Sequence, residues 1–341
     1  MSYQIGIDTI NLRPTPRLAH TEYCSNRAIV RHIGEDKFAK WLDLDFVWTC
    51  HDGPIDWSTA GRTTDMGHAV FQEDGSDFRT TIHCPFKTVE EVWAFDAVEE
   101  YGLPDFKELV ALYYKWYHDQ QDNNKDQVVP GGYYKTIVSG AIQAFGWDML
   151  LEAAADWDRF DRVLETIFQR SLFHYRAWAE TTIEAFICHD DMVWSEGAFM
   201  HPDFYRRAIF PRYRELWSVL RRAGKKVLFC SDADFTEFLD DLAWAGAEGF
   251  IFEPMVDLNT VVGKFGKTHA IVGSKVDART LTFGSKEQIR AEVDATLKLA
   301  FDCPGFMFAV GNHIPSNIPV ENLVFYVEYL KAHWVRPGSI H

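Results

Sequence analysis

Short apolar runs and longer amphipathic stretches alternate along this chain, most regularly after residue 183. The apolar runs lie at 183–188, 226–229, 249–252, 269–272 and 306–310. Each is followed by a segment with helical spacing, such as Phe235, Leu239 and Leu242 after the second run. Apolar runs this short indicate strands buried on both faces. Their alternation with helices predicts a parallel sheet.

The first half of the chain is less regular. Residues 1–25 are predicted to be turn-rich, because Arg13-Pro-Thr-Pro-Arg17 cannot continue a helix. Helical patterns cover 25–42, 88–100, 104–121 and 146–181. Two strands are predicted, a first barrel strand from Asp45 to Cys50 and another at 133–139, and Arg79 to His83 alternates as a hairpin would.

About eight strand–helix units predict an α/β fold, a (β/α)₈ TIM barrel with an elaborated N-terminal segment. An open doubly wound sheet is the alternative. No linker divides the chain, so we expect a single barrel domain over residues 1–341.

Charge and composition narrow the classes of partner. The net charge is −16 without a Lys/Arg cluster, which argues against binding nucleic acid or an anionic membrane. No apolar run approaches the ~20 residues of a membrane helix, and the first residues lack the pattern of a signal peptide. The six cysteines form no CxxC pair, which predicts a reduced, cytoplasmic protein. The 12 Trp and 26 Phe residues permit an aromatic-walled pocket.

Polar residues of metal-ligand type follow five of the predicted strands. They are His51 and Asp52, His189 with Asp190 and Asp191, Cys230 and Asp232, Glu253, and Asn312 with His313. In a barrel these strand ends meet at one rim. Taken singly, each of these residues more often has a structural role. Packing alone, however, does not require five strands that all end in residues of metal-ligand type. The chain has no GxGxxG, Walker, GxSxG or HExxH motif.

The same segments resemble the uroporphyrinogen decarboxylase superfamily. Asp190-Asp191-Met, followed by His201-Pro-Asp-Phe-Tyr-Arg206, resembles its Asp-Asp strand end and the next helix start. Further resemblance lies in 224–247, in 273–287, and in Gly311-Asn-His-Ile-Pro with Pro319-Val-Glu-Asn322. The resemblance is good over 183–330 and weak before residue 130.

The superfamily contains tetrapyrrole decarboxylases that use no metal and zinc methyltransferases that work with corrinoid proteins. The decarboxylases carry an N-terminal RQAGR motif, which Arg13-Pro-Thr-Pro-Arg17 does not match. Thiol-directed methyltransferases carry His-x-Cys, then Glu, then a late Cys. Here the corresponding residues are Cys230-x-Asp232, Glu253 and Asn312/His313. The resemblance therefore implies a site altered toward oxygen ligands and a substrate that is not a thiol.

The metal ligands predicted on this basis are Asp232, Glu253 and His313, with Cys230 as a fourth. Glu253 keeps the family spacing and precedes Pro254, which cannot continue a strand ladder. Barrel closure should bring His313 back toward the other strand ends. Alternatively, Asp232 and Glu253 cap helices or pair with Lys275 and Arg279.

The resemblance implies transfer of a methyl group from a methoxylated aromatic small molecule to a corrinoid protein, with zinc and a corrinoid (cobalamin) as cofactors. His189, Asp190 and Asp191 are the predicted catalytic residues. Glu22 and Tyr23, which resemble a stretch of the O-demethylating branch, are predicted to bind the substrate and close its pocket. The predicted pocket wall is Trp194, Phe199, Met200 and Phe229. The alternatives are a metal-free decarboxylase and a non-catalytic tetrapyrrole or corrinoid carrier. The sequence leaves a homodimer open.

Overall fold

The computed structural model describes residues 1–71, 77–79, 83–311 and 313–338. Its strands are β1 Ala19–His20, β2 Ala69–Phe71, β3 Asp77–Arg79, β4 Gly131–Tyr133, β5 Ala185–His189, β6 Lys226–Ser231, β7 Gly249–Phe252, β8 Ala270–Gly273 and β9 Phe306–Phe308. Its first eight helices are α1 Tyr3–Ile10, α2 Arg27–Ile33, α3 Glu35–Leu42, α4 Val89–Trp93, α5 Ala97–Tyr101, α6 Phe106–Asn123, α7 Val138–Ala153 and α8 Trp157–Ala179. The others are α9 Pro202–Phe204, α10 Phe210–Arg222, α11 Leu239–Ala245, α12 Leu258–Phe265, α13 Ala278–Phe283, α14 Lys286–Ala300 and α15 Val320–His333.

Seven parallel strands form one sheet in the order β1-β9-β8-β7-β6-β5-β4. Residues 45–51 connect its two edges. The Asp45 N–H donates to the His20 carbonyl (2.8 Å), and the His51 N–H donates to the Gly132 carbonyl (3.1 Å). Phe46 also forms a parallel bridge with Val128. This segment takes the place of the eighth strand between β1 and β4 and closes the sheet. The predicted (β/α)₈ barrel is therefore confirmed.

Mostly small and branched side chains, together with the larger Phe46 and Met307, fill the barrel interior. They are Ala19, Phe46, Val128, Ala185, Ile187, Leu228, Cys230, Ile251, Ala270, Val272, Met307 and Ala309. Helix α1 adds Ile7 and Ile10 to this cluster. It packs so closely that a Cβ on Gly6 would lie 2.3 Å from the Asp45 carbonyl oxygen. Ile10 lies near Lys226 and His269, where two strands begin, so α1 covers the amino-terminal end of the barrel.

Three local predictions were wrong. The N-terminal 25 residues contain α1, whose first turn is capped by the Ser2 side chain, and β1 precedes the strand-like segment 45–51. The strand predicted at 133–139 is β4, which ends at Tyr133, because the chain turns there into α7. The stretch 146–181 is helical as predicted, but it comprises the end of α7 and all of α8, and Gly146 interrupts α7 with φ +74°.

Other local predictions agree with the structure. Helices α2 and α3 occupy the predicted stretch 25–42. Strands β2 and β3 form an antiparallel hairpin, as the alternation from Arg79 to His83 indicated, but its second strand ends at Arg79. Residues 80–82 of the alternating stretch lie outside the described residues, and so does Asn312.

Candidate active site

Three predicted residues come together at the carboxyl end of the barrel. His189 ends β5, Asp191 follows it, and Asp232 follows β6. Their potential ligand atoms all lie within 4.8 Å of one another. The cluster forms because β5 and β6 are neighbours in register, with His189 opposite Cys230. The two carboxylates therefore leave the sheet side by side.

Asp191 is the centre of the hydrogen bonds in this cluster. Its Oδ1 lies 3.2 Å from His189 Nε2 and accepts the Asp232 N–H, also at 3.2 Å. Its Oδ2 accepts the Tyr134 hydroxyl at 2.7 Å. Its own N–H donates to Ser139 Oγ (2.7 Å). These bonds hold the carboxylate in one orientation.

Two residues after β4 complete the surroundings of His189. The Tyr134 ring stacks on the His189 ring with centroids 4.0 Å apart, and the Tyr134 N–H donates to Asp52 Oδ1 (2.7 Å). Lys135 Nζ lies 3.8 Å from the centre of the Tyr134 ring. Burial lowers the pKa of Lys135, although nearby Asp52 and Asp191 oppose that change. The nearby Cys50 side chain helps to raise the pKa of His189.

His189 and Asp191 shift each other's pKa in opposite directions. Burial alone would lower the pKa of His189, but the Asp191 charge and hydrogen bond raise it well above its usual value. Burial alone would raise the pKa of Asp191, but His189 and Tyr134 hold it well below its usual range. In the absence of a metal, His189 and Asp191 therefore form an imidazolium–carboxylate pair at neutral pH.

This pair predicts how metal affinity changes with pH. If zinc binds at this cluster, a proton and the ion compete for His189, so metal affinity falls as the pH drops below the raised pKa of that residue. We expect zinc affinity to rise about tenfold per pH unit across neutral pH. Titration against a chromophoric chelator measures this slope. Asp191→Asn should weaken zinc binding, because Asp191 is itself a candidate ligand, and should also flatten the remaining slope, since the carboxylate that raises the pKa of His189 is gone. A flat profile in the unaltered protein would contradict ligation by His189.

Asp190, although adjacent in sequence, points away from this cluster. Its carboxylate accepts the N–H groups of Ile137, Val138 and Ser139 at 2.6–3.1 Å, and the Tyr213 hydroxyl at 2.6 Å. It therefore anchors the start of α7 against β5. Burial raises the pKa of Asp190 to about 6, and the Ser139 N–H and the Tyr213 hydroxyl oppose the rise. These contacts assign it a positioning role.

Of the predicted metal ligands, Asp232 belongs to the three-residue cluster, whereas Cys230, Glu253 and His313 do not; His189 and Asp191 were predicted as catalytic residues instead. Cys230 lies inside the barrel, where burial raises the pKa of its thiol well above the usual value. Glu253 Oε2 accepts the N–H of Ala233 at 2.6 Å. Ala233 has φ +68°, an unusual conformation for a residue with a side chain. Glu253 therefore stabilises the turn that presents Asp232.

The contact between Glu253 and Ala233 allows a test of whether the glutamate supports the turn or binds the metal itself. Glu253→Ala removes the acceptor, so we expect zinc affinity to fall about 10–100-fold while the barrel stays folded. Glu253→Gln keeps an oxygen that can accept the same N–H, so its affinity should stay close to that of the unaltered protein. Zinc titration and circular dichroism of both variants test this. If the Gln variant loses zinc as fully as the Ala variant, Glu253 acts as the ligand predicted from the sequence.

Residues Glu22, Tyr23 and His313 meet where the two ends of the chain pack together. The Glu22 carboxylate accepts the Tyr326 hydroxyl (2.6 Å) and the Val310 N–H (3.0 Å), and it contacts His20 Nε2 (3.2 Å). The ring of Tyr23, which is 52% exposed, lies 5.8 Å from that of His313. Burial lowers the pKa of His313. Glu22 thus ties β1 to the chain after β9, and Tyr23 remains accessible at the surface.

Three of the four predicted wall residues lie on the loop that follows Asp191. Trp194 is 43% exposed, and its ring lies 6.2 Å from that of Phe199. Met200, the next residue, is largely buried. Phe229 is different, because its ring packs against Tyr213 (5.7 Å) and faces the helices outside the barrel. Its strand neighbours face inward instead, as expected from the alternation of side chains.

The sequence interpretation missed Tyr134, Lys135 and the contact of Cys50 with His189. Because a strand was predicted over 133–139, Tyr134 and Lys135 were placed within it instead of at its end. The signal was Gly131-Gly132, whose missing side chains allow close approach. A Cβ on Gly132 would lie 2.8 Å from Cys50 Sγ.

One nitrogen and two carboxylates form a donor set that suits zinc. A catalytic zinc site uses three protein ligands of these types and leaves a fourth position open. His189, Asp191 and Asp232 could hold the ion. The hydrogen bond that the Tyr134 hydroxyl donates to Asp191 resembles the outer contacts that orient metal ligands.

Comparisons with known proteins agree with this architecture. The family described as Uroporphyrinogen decarboxylase (URO-D) matches residues 147–333, more than half of the chain. A curated protein from Syntrophotalea carbinolica, named uroporphyrinogen decarboxylase, is 28% identical over 172 residues, which cover 50% of this chain and 48% of that protein. The chain therefore aligns with about half the length of this relative.

A solved structure described as a methyltransferase from Methanosarcina mazei superposes on the fold. Its TM-score is 0.68 at 15% identity, and the match covers 96% of this chain and 98% of that one. This similarity supports the barrel fold. In the described part of the chain, no helix has the length and apolar character needed to cross a membrane.

Proposed function

Because this chain belongs to the uroporphyrinogen decarboxylase family, we propose that it is a zinc-assisted methyltransferase. In this proposal a methoxylated, aromatic small molecule donates its methyl group to a corrinoid protein. The observation that carries the proposal is the convergence of His189, Asp191 and Asp232 at the carboxyl rim. A metal site needs such a set of donors, whereas metal-free decarboxylation does not.

Zinc bound at this cluster would act as a Lewis acid toward an ether oxygen and stabilise the negative charge that develops there. A corrinoid on the partner protein would accept the methyl group. When the bond between methyl carbon and oxygen breaks, its electron pair stays on the oxygen, which leaves as a phenolate. The residues of the chain must therefore orient the ether and provide for that negative charge.

The surrounding residues fit these tasks. Tyr134 and Ser139 hold Asp191 in place, and the Tyr134 ring fixes the plane of His189. Lys135 is the nearby cation, and its lowered pKa suits a group that gives a proton to the departing phenolate. Trp194 and Phe199 lie on the loop after Asp191, and we propose that they form the aromatic wall of the substrate pocket.

Electrostatics weigh against decarboxylation of a tetrapyrrole that carries many carboxylates. Such a substrate requires cationic side chains, preferably arginines, to bind its carboxylates. The cluster at this rim contributes two carboxylates of its own, Asp191 and Asp232. Their negative charge would repel the substrate. Lys135, the buried cation beside them, already interacts with Asp52 and Asp191, so its charge is not free to bind a substrate carboxylate.

Two measurements test the function. Elemental analysis of the purified protein should find about one zinc per chain, as one three-ligand site implies. With a reduced corrinoid protein and a panel of methoxylated aromatics, the zinc-loaded protein should form methyl-corrinoid, visible in its absorption spectrum. Strong chelation should abolish this activity, and added zinc should restore it.

Other results would contradict the proposal. A protein that binds no zinc but decarboxylates a tetrapyrrole would identify the metal-free reaction. Tight binding of a tetrapyrrole or corrinoid without turnover would identify a carrier. Methyl transfer that persists in strong chelator would remove zinc from the mechanism.

A further inference from the structure

A buried arginine lies outside the barrel wall, away from the rim cluster. Arg170 on α8 is 5% exposed, and its Nη1 donates to the Tyr133 hydroxyl at 2.6 Å. Its Nε has no hydrogen-bond partner. Within the part of the chain that the structure describes, no aspartate or glutamate pairs with this guanidinium. By contrast, Arg17 and Arg212 pair with carboxylates at 2.6 and 2.7 Å.

A buried cation without a carboxylate is energetically unusual. Removing a charged group from water costs several kcal/mol unless an opposite charge or several hydrogen bonds compensate. The rings of Trp57 and Tyr101 lie 5.1 and 5.8 Å from the guanidinium carbon and stabilise it in part. A cation–π contact of this kind offsets only a fraction of the desolvation cost.

One turn along the same face of α8, His174 presents a second unsatisfied nitrogen. It is fully buried, and its ring stacks on Tyr133 with centroids 4.8 Å apart. Its Nδ1 lies 2.7 Å from the Tyr113 hydroxyl, while Nε2 has no partner. Burial lowers the pKa of His174 well below its usual value, and the charge of Arg170 adds to this effect. The ring is therefore neutral, and with Tyr113 as donor its proton lies on Nε2.

Trp57 adds a third donor. Its indole Nε1 is buried without a partner, and its ring contacts the guanidinium. Arg170, His174 and Trp57 thus each carry a buried nitrogen without a hydrogen-bond partner in this region, and Arg170 adds one positive charge. Buried donors of this kind normally have an acceptor. The set matches an anion with two oxygen acceptors in a plane, which a guanidinium binds with two parallel hydrogen bonds.

We propose that Arg170, His174, Trp57 and Tyr133 form a binding site for a small carboxylate anion. The aromatic surroundings favour a monocarboxylate with an apolar group over phosphate, which is more strongly hydrated and more highly charged. This site is distinct from the zinc cluster. Tyr133 packs against α8, whereas the next residue, Tyr134, contacts Asp191 at the rim.

The loop that follows residue 51 connects the two sites. Gly53, with φ +91°, lies so close to His174 that a Cβ there would be 2.7 Å from its Cε1. Trp57 lies four residues further along the same loop. On the rim side, Asp52 accepts the N–H of Tyr134 (2.7 Å). A carboxylate bound beside Arg170 would therefore contact the same loop that supports the catalytic rim.

The test uses the full chain with acetate as the probe. At constant ionic strength, acetate should bind one per chain by isothermal titration calorimetry. It should also raise Tm in a saturable manner, by about 2 °C or more once the site is full. Arg170→Met should abolish both effects. This variant is expected to fold, because an apolar residue of similar length relieves an unpaired buried charge. Arg176→Met, an exposed arginine on the same helix, is the matched control and should keep both effects.

Each other result has a defined meaning. If acetate neither binds nor raises Tm in the unaltered protein, the site takes no carboxylate and the proposal fails. If the response survives in Arg170→Met, acetate binds elsewhere and the assignment is wrong. If phosphate binds and acetate does not, the ligand class is wrong. Should Arg170→Met not fold, Arg170→Lys keeps the charge but loses the planar fork, and it should bind acetate at least about tenfold more weakly.

Discussion

Asp232→Asn is expected to remove zinc and methyl transfer together while leaving the barrel folded. Asp232 supplies one of three potential ligand atoms that lie within 4.8 Å of one another. An amide oxygen is a much weaker zinc ligand than a carboxylate. We expect zinc affinity to fall by about 100-fold or more, the upper end of the losses known for groups that only support ligands. Elemental analysis after dialysis, with the methyl-transfer assay, measures the effect.

Asp234→Asn is the matched control for this substitution. Asp234 Oδ1 accepts the N–H and hydroxyl of Thr236 at 2.9 and 2.5 Å, contacts that an asparagine oxygen can also make. This variant should retain zinc and activity. If Asp232→Asn retains full zinc occupancy and activity, the three-residue cluster is not the metal site. If both variants lose zinc equally, the loop after β6 has been disturbed as a whole, and ligation by Asp232 is not supported.

Asp190→Asn is expected to destabilise the protein strongly, by about 2–4 kcal/mol in the free energy of unfolding. The buried carboxylate accepts four hydrogen bonds, three from the first N–H groups around α7 and one from Tyr213. An amide must place an NH₂ group against donors, which leaves buried groups unsatisfied. Urea unfolding followed by circular dichroism measures the loss.

Tyr213→Phe separates the contribution of one bond from the rest. It removes the hydroxyl that donates to Asp190 Oδ2 and leaves the three N–H donors in place. We expect a smaller loss, about 1–2 kcal/mol. The contrary result is an Asp190→Asn variant that loses activity while its free energy of unfolding stays within about 0.5 kcal/mol of that of the unaltered protein. That result would show that Asp190 takes part in the chemistry, as predicted from the sequence.

The sequence by itself determined the type of fold and the edge of the sheet at which the chemistry lies. Buried strands must be apolar on both faces, so β5 to β9 appear as short apolar runs. Polar residues directly after such runs must lie at the carboxyl ends of parallel strands. His189, Asp191 and Asp232 were recognised for this reason, before their contacts were known.

Tertiary structure alone decided which of those strand-end residues meet. Asp190 and Asp191 are neighbours in sequence, yet Asp190 anchors α7 and Asp191 joins the candidate metal site with His189 and Asp232. Local pattern cannot separate them, because the distinction depends on Ser139 and Tyr134, which are about 50 residues away along the chain. Local pattern likewise cannot show that Glu253 accepts the N–H of Ala233, which is 20 residues away along the chain.

The closure of the barrel also could not be predicted from local sequence patterns. Residues 45–51 make only a few hydrogen bonds with β1 and β4, and two-residue β1 is too short to leave a periodic signal. Helix α1 is short and flanked by turn residues, so its stability comes from burial against the end of the barrel rather than from its own sequence. Such elements form because distant strands give them a surface to pack on, and a sequence pattern records only local preferences.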